Sequence, residues 1–362
     1  MNILLDNIIF SKVKHGGVSN YWYELCRFLY EKQKEQTFYF EDELASLNFY
    51  RKFLDLEEEN VIKTKNYPNF IKQILPLTYN LQEKHIYHSS YFRPLQGTKN
   101  KIEVTTVYDF IHDYFFPFHK KISHNYIKYN AIKRSKGIIC ISHNTYNDLN
   151  KFCSLKKNQR AEVIHVGVSD DYFPLVDKKR DFLTEINLSK PFLIFVGGRT
   201  GYKNFDFVAS ILNENTDLQL VIVGGGPLSD FEIKLFKPSA LSRVVLQPSL
   251  SNVNLNILFN NALALIYPSS YEGFGIPVIE AMRSGCPVIG LNNATITEVA
   301  RNSALLLEKL DLNEFKQHKY NLFNEGFKKE IIEKGFLESK NYSWEKCNKE
   351  TYEFYQSLYD SF

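Results

Sequence analysis

The stretch Tyr267-Pro-Ser-Ser-Tyr-Glu272-Gly273-Phe274-Gly275-Ile-Pro277-Val-Ile-Glu280-Ala-Met282 decides how this chain is read. It follows a short aliphatic run, Leu263 to Tyr267, of the kind buried on both faces of a parallel sheet. A glycine-flanked turn then presents Glu272. Pro277 stands where a helix can begin, because its missing N–H falls among the amides that a first turn leaves unpaired anyway. Glu280 lies about one turn inside that helix. Strand, turn and helix in this order form the unit of a parallel α/β sheet, whose ligands sit beyond the carboxyl ends of the strands. Carboxylates accept hydroxyl groups and a helix N-terminus favours an anion, so the pattern suits a ligand with both a diphosphate and sugar hydroxyls. On a plainer reading Glu280 only favours the helix dipole, which leaves the Gly273-Phe274-Gly275 insertion unexplained.

The same alternation extends in both directions. Phe192 to Val196, Leu218 to Val223, Val244 to Leu246 and Pro287 to Ile289 are further compact strands, each followed by turn residues and a helical segment. In the first half, Ile3 to Leu5, Ile86 to Ser89, Val104 to Val107, Gly137 to Ile141 and Val163 to Val166 alternate with helical spacing at Tyr21 to Tyr30 and Tyr126 to Arg134. Ser142 is placed to cap a helix. The pattern breaks at the polar stretch 169–181, which marks a domain boundary. The expectation is an α/β chain of two doubly wound parallel sheets, residues 1–170 and 183–344, facing each other across a cleft. The tail from Glu325 to Phe362 reads as helical, with Trp344, Tyr352, Tyr355 and Leu358 as its apolar stripe.

Length agrees, since 362 residues at ~150 per domain give roughly two domains. The 44 Lys and Arg nearly cancel the 41 Asp and Glu, so no strong overall field is available to hold nucleic acid. The five cysteines are widely spaced, without a C-x-x-C pair, and read as buried thiols of a reducing compartment. The N-terminus has no basic lead and meets Asp6 at once, and no run reaches the length needed to cross a bilayer. A soluble or surface-bound, cytoplasmic protein is expected. The basic and aromatic stretches Leu44 to Leu81 and Lys120 to Lys136 suit anionic lipid headgroups, although an ordinary charged face explains them slightly better.

Gly197-Gly198-Arg199-Thr-Gly-Tyr-Lys203-Asn204 follows the strand Phe192 to Val196 and carries two cations just before a helix. Glycines permit close backbone approach, Arg199 can make a bidentate contact and Lys203 supplies a point charge, so the turn reads as an anion cradle. A cation ~4 Å from a phosphate is worth on the order of 4 kcal/mol at an effective dielectric of ~20, before desolvation losses. The spacing is not that of a Walker loop, because Tyr202 and Asn204 occupy the second-glycine and hydroxyl positions. Gly224-Gly-Gly-Pro-Leu-Ser229 is only a partial dinucleotide fingerprint, with no acidic residue ending the following strand, so nicotinamide chemistry is a minor alternative.

These motifs together resemble glycosyltransferase family 4, the large retaining group with the GT-B fold. The resemblance rests on Glu272-x7-Glu280 in its context, on Gly-Gly-Arg199-x3-Lys203-Asn-Phe and on Val-Ile-Val-Gly-Gly-Gly-Pro. In the first half, Gly16-Gly17-Val-Ser-Asn-Tyr, Thr105-Thr-Val-Tyr-Asp109-Phe-Ile-His112-Asp113 and Ile139-Cys-Ile-Ser142 are similar to the family's early segments, and Tyr342-Ser-Trp-Glu-Lys346 to its closing helix, which crosses back to the first domain. The resemblance implies that Arg199 and Lys203 bind the donor diphosphate, Glu280 the ribose hydroxyls and Glu272 the donor sugar. Amides of Gly273, Phe274 and Gly275 would lie near sugar and phosphates with Gly198, while Gly16 and Gly17 close on the diphosphate from the first domain. Many members read Thr-Val-His-Asp where this chain has Thr106-Val-Tyr108-Asp109, so the donor-facing histidine is sought at His112, with Asp109 or Asp113 orienting it.

The function so implied is a retaining hexosyl transfer from a GDP- or UDP-sugar to a glycan or lipid-linked acceptor in bacterial surface polysaccharide assembly. No Asp-x-Asp and no zinc-type cluster occurs, so neither metal nor cofactor is expected. Two other readings stay open: a nucleotide-sugar 2-epimerase of the same fold, and a non-catalytic sugar-nucleotide-binding subunit.

Overall fold

Runs rich in Val, Ile, Leu and Phe become parallel strands where both faces can be covered by crossover helices. In the computed structural model, which describes residues 1–32, 36–177 and 181–362, they do so in two units, Met1–Gly167 with Trp344–Phe362 and Val168–Ser343. Residues 178–180 of the polar boundary stretch lie outside the described residues.

The strands of the first unit are β1 (Asn2–Asp6), β2 (Thr37–Glu41), β3 (Val61–Lys63), β4 (Leu77–Thr78), β5 (His85–Ser89), β6 (Leu95–Gln96), β7 (Lys101–Val107), β8 (Gly137–Cys140) and β9 (Arg160–Val163). β4 pairs with β6, and the others form a sheet in the order β3-β2-β1-β5-β7-β8-β9, parallel throughout. The strand expected at Val163 to Val166 starts earlier, at Arg160. It is a half-buried edge strand with a polar start, and the buried Ile164 and Val166 follow it as the chain leaves the sheet. The last helix, Trp344–Ser361, completes this unit. Its Tyr355 hydroxyl meets His88 Nδ1 at 2.5 Å, and Asn348 Nδ2 donates to the Glu24 carbonyl at 3.0 Å. Burial pushes His88 down to about 3, so it is a neutral structural imidazole. Gly137 on β8 admits this helix closely, since a Cβ there would lie 2.4 Å from Leu358 Cδ1.

The second unit holds β10 (Phe192–Val196), β11 (Gln219–Val223), β12 (Val244–Gln247), β13 (Ala264–Tyr267), β14 (Val288–Leu291) and β15 (Leu305–Leu307), all parallel, in the order β12-β11-β10-β13-β14-β15. Leu193, Phe195, Leu220, Ile222 and Ile266 on the strands pack with Val208, Ile211 and Leu212 of the helix Phe205–Glu214, all of them nearly inaccessible. Each such side chain contributes ~1.5–3 kcal/mol through burial. The tail expected as one helical stretch divides: Glu325–Ser339 belongs to the second unit, Trp344–Ser361 to the first, and Ser343 between them forms a parallel bridge with Val168. The strand order reverses direction between β10 and β13, which puts a ligand crevice at the carboxyl ends of that pair.

Candidate active site

Two loops emerge at that switch point, one after β10 and one after β13. The β10 loop turns through Gly197, whose N–H donates to the Val223 carbonyl at 2.8 Å, and enters a short 3-10 turn, Gly201–Lys203. Asn204 then takes a left-handed conformation ahead of the helix Phe205–Glu214. Its Nδ2 donates to the Pro268 carbonyl at 2.7 Å and to Ser270 Oγ at 2.8 Å, while Ser270 N–H donates to the Tyr202 carbonyl at 2.8 Å. The loops are thus laced together. Across the seam, Lys203 Nζ donates to Glu272 Oε1 at 2.7 Å, with the two side chains 13% and 10% exposed. Mostly withdrawn from water, this pair is screened little and keeps two further ammonium protons for an anion.

Arg199 does something different from what its motif suggests. Its Nε donates to Glu232 Oε1 at 2.7 Å, Nη1 to the Gly224 carbonyl at 3.2 Å, and Nη2 to the carbonyls of Gly225 at 3.1 Å, Gly226 at 3.2 Å and Pro227 at 2.7 Å. The side chain is 4% exposed. Its fork therefore clamps the loop after β11, where three consecutive glycines all have positive φ. A Cβ on Gly225 would meet Arg199 Nη1 at 2.5 Å, so only glycine fits. Glu232 is itself held by a capping box with Ser229. Ser-x-x-Glu is a helix-start spacing, and nothing local in it points to Arg199.

After β13, Glu272 is buried and its carbonyl accepts from Thr295 Oγ1 at 2.6 Å. Gly275, with φ of 87°, caps the helix Ile276–Arg283, and the left-handed turn it permits brings the Gly273 to Gly275 backbone to the helix N-terminus. The Phe274 ring is buried edge-on against Tyr342, 5.6 Å between centroids, so this residue offers a ligand its backbone rather than its ring. Gly198 is exposed, with nothing near a Cβ position.

Glu280, half-buried on that helix, hydrogen bonds with Tyr172. Desolvation pushes its carboxyl up to about 7, against the pull of the Tyr172 hydrogen bond. The folded chain therefore binds this proton more tightly than the unfolded one, whose carboxyl titrates near 4.5. Stability falls as pH rises between those values, and the full penalty is present above 7. Glu280→Gln is expected to melt with the parent near pH 5 and several degrees above it at pH 8. Equal melting temperatures at both pH values would refute the desolvated carboxylate.

The remaining candidates lie in the first unit. Gly16, with φ of 145°, precedes Gly17 at the start of the helix Gly17–Lys32, which carries no acidic residue in its first turn. Asp109 Oδ1 accepts from the Ile111 N–H at 2.9 Å. Asp113 accepts from Lys128 at 2.7 Å and Asn125 at 2.6 Å, and also from Tyr129, so it secures the helix Phe118–Arg134 rather than waiting for a ligand. The His112 ring stacks on His124 at 3.8 Å and on Phe116 at 4.4 Å, and its buried Nδ1 has no hydrogen-bond partner. Burial lowers its pKa, favouring the neutral ring. The structure thus joins Lys203, Glu272, Gly273, Gly275 and Glu280 around one pair of strand ends, and sets Arg199 behind them as a brace. Sequence reasoning missed Tyr172, which stands in the polar stretch taken only as a boundary.

With the geometry in place, likeness to known proteins becomes informative. Residues 177–329 match the family described as glycosyl transferases group 1. The O-antigen chain mannosyltransferase RfbU of Salmonella typhimurium is 28% identical over 229 residues, 58% of this chain and 57% of that one. The chain spans less than two thirds of the length of the curated relatives it matches. Among solved structures, sucrose-phosphate synthase from Thermosynechococcus elongatus aligns over 100% of both chains with a TM-score of 0.75 and 17% identity. Anabaena Alr3699/HepE, solved in complex with UDP-glucose, aligns over 99% of this chain and 100% of that one with a TM-score of 0.73 and 12% identity. The region that matches the glycosyl transferases group 1 falls on the unit that carries the laced loops, and the two parallel-sheet units have the GT-B fold of those solved structures.

Proposed function

We propose that this chain is a retaining glycosyltransferase that moves a hexose-type sugar from a GDP- or UDP-sugar to a glycan or lipid-linked acceptor, without a metal ion. The observation that carries the reading is the Lys203–Glu272 pair, laced at 2.7 Å beside the N-terminus of the helix that bears Glu280. Departure of a diphosphate from an anomeric carbon leaves charge on phosphate oxygens and makes the sugar cation-like. Lys203 and the amides at Gly273 to Gly275 neutralise the leaving group, Glu272 accepts sugar hydroxyls and Glu280 accepts those of the ribose. The departing phosphate takes the acceptor proton. In the first unit, His112 in its neutral form, Asp109, Gly16 and Gly17 are the further candidates for contact with the donor. Arg199 serves the same end indirectly, by fixing the glycine loop behind Lys203.

Relatives named for O-antigen mannosyl transfer and a fold neighbour holding UDP-glucose support this choice of donor and of a bacterial surface polysaccharide as product. No helix of the described residues is long and apolar enough to cross a membrane. Leu47, Phe49 and Phe53, each more than half exposed, stand with Lys14 and Lys52 in the first unit and suit peripheral contact with an anionic bilayer at its cytoplasmic face. A thermal-shift panel of nucleotide diphosphate sugars tests the core of the reading. A UDP- or GDP-sugar is expected to raise the melting temperature equally with and without EDTA. No shift with any donor overturns the site, and a shift abolished by EDTA overturns metal independence.

A further inference from the structure

Just after Gly167, the segment 170–175 runs as a strap along the helix Asn252–Asn261, held by asparagines spaced one turn apart. Phe173 N–H donates to Asn256 Oδ1 at 3.2 Å, Leu175 N–H to Asn260 Oδ1 at 2.8 Å, and Asn260 Nδ2 donates back to the Phe173 carbonyl at 3.0 Å. Asn252 Nδ2 donates to Asp171 Oδ2 at 2.9 Å, which fixes the orientation of its amide and turns Oδ1 toward the Tyr172 hydroxyl, 3.3 Å away. Arg283, three residues beyond Glu280 on the same helix, pairs with Asp170. The strap is therefore tied to the Glu280 helix before Tyr172 and to the Asn252–Asn261 helix after it, and the Tyr172 side chain is buried.

The Tyr172 hydroxyl has one proton and meets two acceptors, Asn252 Oδ1 and the Glu280 carboxyl. While Glu280 is protonated, its carboxyl donates to the phenol oxygen and the phenol proton serves Asn252. Once Glu280 ionises, the phenol turns its proton to the carboxylate and Asn252 Oδ1 is released. Ribose hydroxyls are best accepted by the ionised carboxylate. We infer that Tyr172 is a positioning residue for nucleotide recognition, its single phenol proton shared between Glu280 and Asn252 so that the strap holds and orients the carboxylate that receives the ribose. This rests on the reading of Glu280 as the ribose acceptor. Among the described residues, the ionisable groups around Glu280 include Tyr267 at the end of β13, on which Glu272 acts as well, Glu272 itself, engaged by Lys203, and Arg283, engaged by Asp170. The helix Glu325–Ser339 meets the Glu280 helix through Gly335 against Met282 and adds no charge at that contact.

The test is calorimetric titration of the full chain with UDP and with GDP between pH 5.5 and 8.5. Affinity is expected to rise with pH to a plateau, and Glu280→Gln to lose that component, keeping only what the terminal phosphate, with its second pKa of about 6, contributes. Tyr172→Phe withdraws the phenol proton, so the midpoint moves up and affinity at pH 7 falls several-fold. Asn252→Leu, with Asn252→Ala as a second variant, removes the competing acceptor, so the midpoint moves down. Opposite displacements support the shared proton; displacements in the same direction show general loosening and overturn it. If Glu280→Gln removes the component while the Tyr172 and Asn252 variants leave the midpoint in place, the inference fails and the ribose reading survives. If Glu280→Gln keeps the parent profile and affinity for both nucleotides, the ribose reading itself falls.

Discussion

Replacing Lys203 with alanine is expected to lower kcat/KM by ~10²–10³-fold, the range lost when one preorganised donor to a developing anion is removed. The ammonium has three protons and gives one to Glu272 at 2.7 Å, so the others remain for phosphate oxygens in a place where solvent screening is weak. Removing it also leaves the buried Glu272 carboxylate without its cation. On the proposed reading both consequences fall on the charged leaving group, so kcat is expected to fall as well as KM to rise. Arginine is expected to restore little, because a planar fork does not reproduce the compact point charge that Lys203 sets against Glu272. Steady-state kinetics with the donor identified by thermal shift provide the measurement. A variant within threefold of the parent would remove Lys203 from the chemistry.

Arg199→Ala is expected to act first on stability. Breaking a buried ion pair by deleting one partner costs ~3–5 kcal/mol, and here four carbonyls as well as Glu232 lose their donor. For a unit of this size that corresponds to a fall in melting temperature on the order of 10 °C. Amide hydrogen exchange should rise around Gly224 to Pro227 while the helix Phe205–Glu214 stays protected. Nucleotide affinity falls in consequence, since the loop behind Lys203 is no longer held. If Arg199→Ala keeps its melting temperature but loses nucleotide binding, the arginine leaves its clamp to meet the diphosphate directly.

What could be read from the residues alone was set by how local the determining physics is. Leu263 to Tyr267 announced a buried strand and Pro277 a helix start, because patterning and capping act within a few residues. The Lys203–Glu272 contact was foreseen as two neighbours of one ligand but not as a pair, since 69 residues separate them. β2, Thr-Phe-Tyr-Phe-Glu, went unread because its aromatic run lacks the β-branched character that marked the other strands. β15, Leu305-Leu-Leu307, escaped because three leucines serve a helix as well as a strand. Arg199 shows another limit: the same guanidinium fork that fits a diphosphate fits a row of glycine carbonyls, and its clamp on Gly224 to Pro227 is set by the fold and not by the local sequence. Tyr172 carried no motif at all, and its importance comes from an asparagine ladder 80 residues downstream.

The first unit is assembled from residues at both ends of the described chain, with Trp344, Tyr355 and Leu358 filling its interior. A ribosome emitting ~5–20 residues per second makes the whole of the second unit before those side chains emerge. The usual order of maturation is therefore inverted: the later-made unit can finish first, while the earlier one waits with the flanks of β5 and β8 uncovered. Nascent chains interrupted before Trp344 would present that greasy surface to chaperones and to one another.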